Sequence, residues 1–135
     1  MTISLKSILA PNKKVTIEFP GMPGFMIELA FLSRETILNL RKRATKTTFK
    51  GRSAQDEFDD ELFLKLYTEQ TVLGWKGLKF AYVEKLAPVD LTGVNLEDEL
   101  EFSAENALYL VKNSTSFDNF VSDTVADLGN FTTSK

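Results

Sequence analysis

Apolar and polar residues alternate along two stretches near the start of the chain. Val15, Ile17 and Phe19 are separated by Thr16 and Glu18, and Phe25, Ile27, Leu29 and Phe31 repeat the pattern. A period of two puts every second side chain on one face, so each stretch reads as a half-buried strand. Between them, Pro20 to Gly24 supplies two prolines that fix φ and two glycines free to make it positive. The segment Asn12 to Phe31 is therefore predicted to be a β-hairpin.

The period then changes to that of helices. Ser33 stands where an N-cap belongs, with Glu35 in the first turn, and a helix is expected from Arg34 to Thr45 with Ile37, Leu38, Leu40 and Ala44 apolar. Thr47 to Gln55 is polar, contains Gly51 and reads as an exposed loop. A second helix is expected from near Asp59, opened by a cluster of acids and carrying Leu62, Phe63, Leu66 and Tyr67, and ending before Gly74. Gly74 to Leu78 reads as a turn, Phe80 to Leu86 fits a strand or a helical turn equally well, and Pro88 to Glu101 reads as acidic and irregular. Ser103 caps a third helix over Ala104–Lys112, with Ala107, Leu108 and Val111 expected to face inward. In the fourth, Phe117, Phe120, Val121, Thr124, Val125 and Leu128 follow the i, i+3, i+4, i+7 stripe, with Gly129 as its stop. The sum is an α+β fold: an N-terminal hairpin packed against about four α-helices.

The chain has 135 residues, which fits one core. We expect a single domain over residues 1–131 and a flexible tail over 132–135. No apolar run in the sequence approaches the ~20 residues of a membrane span, nor that of a signal peptide, so a cytoplasmic protein with no membrane partner is expected. Asn113 and Asn130 begin glycosylation-type triplets, which carry no information without secretion.

Composition narrows the chemistry. With no cysteine and no histidine, disulfides, Cys nucleophiles, Ser–His triads, imidazole acid–base catalysis and the usual zinc sites all fall away. The acids Asp56 to Glu61 are contiguous and open a helix, unlike the separated carboxylates of a glycosidase or the alternating ligands of a calcium loop. The glycines are scattered, without the pattern of a phosphate-binding loop. The expectation is a binding protein, not an enzyme, with no cofactor and no metal.

Charge gives the partner question its shape. Residues 1–52 carry ten Lys/Arg and three Asp/Glu, whereas 53–135 carry six and sixteen, and together they leave a net charge of -3. The asymmetry fits either mutual attraction of the halves or docking between molecules. Arg41, Lys42, Arg43 and Lys46 form the densest basic cluster. Part of its motive is structural, since cations suit a helix C-terminus. Nucleic acid is disfavoured by the overall acidity and by the lack of a recognised binding motif. Trp75, Phe80 and Tyr82 belong to no stripe and could close the core or anchor an interface.

Several segments, in order, resemble the tail assembly chaperones of long-tailed bacteriophages. They are Leu5 to Pro11 (LKSILAP), Thr16 to Gly21 (TIEFPG), Leu32 to Glu35 (LSRE), Leu40 to Thr45 (LRKRAT), Gly74 to Leu78 (GWKGL), Phe102 to Ala107 (FSAENA) and Leu110 to Phe117 (LVKNSTSF). The resemblance implies a scaffold, located in the host cytoplasm, that keeps a tape measure protein soluble and recruits the major tail tube protein, with self-association possible. It carries no catalytic residues over. Arg41, Lys42, Arg43 and Lys46, with Trp75 and Tyr82 as apolar anchors, are the candidate contact residues. Rival readings are a structural tail or head-completion protein of the virion and a small nucleic-acid-binding regulator.

Overall fold

A computed structural model describes residues 2–8 and 13–127. The fold is α+β, with six helices and five strands in two small antiparallel sheets among these residues. Two of the helices are short additions to the predicted four. The four-residue α1 (Leu5–Ile8) has no buried residue, and α4 (Phe80–Leu86) resolves the ambiguous segment as a helix. The expected stop at Gly129 and the tail at 132–135 lie outside the described residues.

The N-terminal hairpin forms as its alternation dictates. Strands β1 (Lys14–Glu18) and β2 (Met26–Ala30) pair with Ile17 opposite Ile27, and Gly21 and Gly24 take φ of 79° and 87° in the connection. Phe25, Ile27 and Leu29 are fully buried, so β2 is the spine of the core. Phe19 and Phe25 stack at 5.6 Å between ring centroids, and Phe19 lies 4.8 Å from Phe120.

Two segments differ from the sequence-based expectation. Gly74 to Leu78 is mostly strand: β5 (Val72–Lys76) pairs with the other edge of β2, giving the order β1-β2-β5. The irregular step between Glu28 and Leu29 leaves Leu73 unmatched, and this bulge with Gly74 hides the strand's alternation. Thr47 to Gln55 is no loop. It lies within a second hairpin, β3 (Thr45–Lys50) with β4 (Ser53–Phe58), turning through Gly51 at φ 66°. Every residue of β4 is exposed, so burial imposes no apolar alternation on it.

Helix α2 (Arg34–Arg43) begins at the predicted cap, with the Ser33 hydroxyl accepting from the Thr36 amide at 3.2 Å. It ends at Arg43 with Ala44 as C-cap, two residues before the expected end at Thr45, which belongs to β3. Helix α3 (Asp60–Thr71) is capped by Asp59, whose carboxylate accepts from the Leu62 amide at 3.0 Å. The acids of this first turn thus have the structural task that the helix dipole favours. In α5 (Ala104–Asn113) the buried positions are Ala107, Leu110 and Val111; Leu108, expected inside, is half-buried. Helix α6 (Thr115–Ala126) starts from Ser114, slightly before the apolar stripe, and buries Phe117, Val121, Thr124 and Val125. Helices α3 and α6 cover the inner face of β2, and α5 packs on both.

The acidic segment 88–101 is irregular, as expected, but it is tied down. The Phe80 and Ala81 amides, left open at the start of α4, donate to the carbonyls of Asp98 and Leu96 at 2.8 and 3.1 Å. Glu99 accepts from the Gly77 amide at 2.9 Å, and Glu97 pairs with Lys79 at 3.0 Å. No helix among the described residues is long and apolar enough to cross a membrane.

Candidate functional site

Helix α2 presents its side chains in two directions. Leu40 and Ala44 point into the core, and Ile37 packs against it half-buried. Leu38, another apolar position of this helix, is 47% exposed. One helical face carries Arg34, Leu38 and Arg41, spaced by four and three residues. That face forms one wall of a groove of about 490 Å³, whose other wall is the end of α6 at Val125 and Ala126. Phe31 and the buried Leu32 complete it. The groove is thus lined mostly by apolar side chains, with Arg34 and Arg41 also on its walls.

Of the predicted contact residues, Arg41, Lys42, Arg43 and Lys46 are all exposed. Arg41 bridges two environments, lining the groove and holding its guanidinium carbon 5.8 Å from the centre of the Phe63 ring. Lys46 is on β3, so the cluster runs from the last turn of α2 onto the second hairpin. That hairpin carries Phe49 at 74% exposure and Phe58 at 45%. Its base is fastened: the Asp59 amide donates to the Ala44 carbonyl at 2.7 Å, Thr45 donates to the Arg41 carbonyl at 2.8 Å, and Phe58 meets Phe63 at 5.5 Å.

Trp75 and Tyr82 sit elsewhere, in structural positions. The Trp75 indole N–H donates to the Leu100 carbonyl at 2.9 Å, and its ring meets Phe102, Phe117 and Phe25 edge-on. The Tyr82 hydroxyl donates to the Pro23 carbonyl at 2.8 Å, holding α4 to the first hairpin turn. The four cations therefore stand exposed where α2 passes into β3, and the two aromatics are among the groups that close the core. Near the four cations, Leu38, Phe49 and Phe58 are exposed apolar residues that sequence reasoning did not single out. For Leu38 the signal was present, because its i−4 and i+3 neighbours are both arginines.

Two other depressions are shallower in chemistry. One, of about 300 Å³, lies over Gly74 on the outer face of the three-stranded sheet, between Thr16, Glu28 and Lys76. The other, of about 440 Å³, lies between α3 and α5 beside Tyr109, with Lys65, Glu69, Glu105 and Lys112 of mixed sign. Among the described residues, no three acids converge in a way that could hold a metal ion.

The groups with displaced pKa values stand outside the α2 groove. Burial pushes the Tyr67 hydroxyl up, against the opposing pull of its hydrogen bond with Ser122, and the Asp118 charge adds to the rise. The hydrogen bond to Glu97 holds Lys79 above the ordinary lysine value. The Thr92 hydroxyl and amide, donating at 2.6 and 3.0 Å, hold Asp90 below the usual carboxylate range. The arrangement suits recognition of an apolar segment with negative flanks. Compared with known proteins, the chain matches no family model, no curated protein and no solved structure.

Proposed function

We propose that this chain is a phage tail assembly chaperone, a binding protein whose client is the tape measure protein and which recruits major tail tube subunits. The observation that carries the reading is the α2 groove, lined by Leu32, Ile37 and Val125 together with Arg34 and Arg41. An amphipathic helix lays its apolar face into such a groove, and acidic residues beside that face meet the arginines. A tape measure chain, long and partly apolar, offers segments of this kind repeatedly. Modest affinity at each segment is what an assembling tube needs in order to displace the chaperone. The ordered resemblance of segments from Leu5 to Phe117 supports the same assignment.

Co-expression with a tape measure fragment tests it. The fragment should become soluble with the wild-type chain, and should return to the pellet with the Leu38→Asp and Arg41→Glu double variant. A fragment that stays insoluble beside wild-type protein refutes the proposal. Mass spectrometry of purified virions separates a chaperone, absent from mature particles, from a structural tail or head-completion component. Binding of DNA that weakens steeply with salt would favour a nucleic-acid regulator instead.

A further inference from the structure

The second hairpin is mixed in charge on its faces and single in sign along each edge. Side chains alternate between faces, so Lys46, Thr48 and Lys50 share one face of β3, and Thr45, Thr47 and Phe49 share the other. Each face also carries an acid of β4: Glu57 is opposite Lys46, and Asp56 is opposite Thr47. The outer edge of β3, by contrast, is flanked by lysines and no acid. β3 and β4 make a sheet of their own, and no strand lies beside that edge among the described residues. Uncovered edges are templates for a further strand. Three threonines and a phenylalanine give β3 the composition that strands favour.

The charges of the two strands differ in how far they are satisfied. The Thr47 hydroxyl donates to the Asp56 carboxylate at 2.9 Å, and the Thr48 hydroxyl donates to that of Glu57 at 3.5 Å. The β4 acids are thus engaged within the hairpin. Lys46 and Lys50 have no ion pair among the described residues, where the one found joins Lys79 to Glu97. We propose that the outer edge of β3 takes an acidic, extended segment of a partner protein as a third strand, the ladder supplying affinity and the lysines selecting the segment.

Register fixes the pattern that such a segment needs. Residues directly opposite across a ladder stand about 4.5–5.5 Å apart. Acids belong opposite Lys46 and Lys50, with β-branched or aromatic residues opposite Thr47 and Phe49 on the other face. The sequence Glu-Val-Thr-Val-Glu satisfies this and reads the same in both directions, so it serves parallel or antiparallel addition. The chain's own β4 does not fit, because Asp56 and Glu57 are adjacent and fall on opposite faces. A nucleic-acid strand laid on either face would meet Glu57 or Asp56. The inference stands apart from the tape measure assignment: it concerns the hairpin edge, whereas co-expression reads the α2 groove.

The test titrates the full chain into a dye-labelled peptide centred on Glu-Val-Thr-Val-Glu, read by fluorescence anisotropy. Saturable binding is expected, with hydrogen exchange showing protection that rises more over 45–50 than over 53–58. The same peptide N-methylated at every backbone amide should not bind, since it keeps its charge and cannot donate to the edge. Lys46→Glu with Lys50→Glu changes two exposed positions. This variant should bind the acidic peptide about tenfold more weakly and should take Lys-Val-Thr-Val-Lys instead, which also shows that its hairpin is intact. Absence of binding by wild type, equal binding by the variant or of the N-methylated peptide, or displacement by oligothymidine would each overturn the proposal. So would protection over 45–50 that rises with protein concentration without peptide, which assigns the edge to a second copy.

Discussion

The molecule contains two hairpins of similar length that owe their order to different causes. In β1–β2 one strand is the centre of a three-stranded sheet, and Phe25, Ile27 and Leu29 are sealed beneath α3 and α6. In β3–β4 no residue is buried, and the strands touch the body chiefly at the end of α2 and through Phe58. The first pair is held by what it excludes from water, the second by its own ladder and a fastened base. The difference separates a part of the chain that makes the fold from a part that is free to meet other molecules.

Substitutions can break that contrast. Phe25→Ala removes a fully buried ring that contacts Phe19 and Trp75, and should cost about 3–5 kcal/mol in denaturant unfolding. Gly77→Ala comes next. Gly77 has φ of 76°, and a Cβ there would collide with the Gly24 carbonyl, so the first hairpin turn could no longer sit against the end of β5. A loss of about 2 kcal/mol or more is expected, because both the strained conformation and the backbone collision count.

Alkali gives a smaller effect, confined to the body. Burial holds the Tyr67 hydroxyl of the folded chain above the ordinary tyrosine pKa of 10.0. Above that pH the unfolded chain releases a proton that the folded chain still holds, so stability is unaffected below it and falls as pH rises through the window. Thermal unfolding should therefore show a shallower alkaline loss for Tyr67→Phe than for wild type. Thr68, which is 1% exposed, has a hydroxyl with no hydrogen-bond partner among the described residues. Thr68→Val should be neutral or stabilise by up to about 1 kcal/mol, since it removes the unpaired polar group and keeps the shape. Phe49→Ser on the second hairpin should stay within about 0.5 kcal/mol of wild type, although it removes an entire ring.

The same contrast explains what could be read from the sequence. The α+β class, the first hairpin and the caps at Ser33 and Ser103 were legible because burial and helix ends impose residue patterns. The second hairpin was not. Its strands TKTTFK and SAQDEF satisfy their backbone in the ladder without needing an apolar face, so they look like loop. Strand β5 was obscured by Gly74 and a bulge at Leu73. At the candidate site the four cations were visible as a cluster. The groove beside them was not, because its second wall comes from Val125 and Ala126, which are remote in sequence. Trp75 and Tyr82 drew notice for belonging to no stripe, and the structure explains that independence: each spans two elements through a hydrogen bond to a distant carbonyl.

The division between a self-sufficient body and a hairpin left for partners can be tested by taking the hairpin away. The Ala44 carbonyl and the Asp59 amide are already hydrogen-bonded at 2.7 Å, so a short glycine link can replace residues 45–58 without moving α2 or α3. Thermal unfolding of that protein is the most direct measurement. A cooperative transition within a few degrees of wild type is the predicted result. A body that no longer unfolds cooperatively, or that melts far below wild type, would contradict the account.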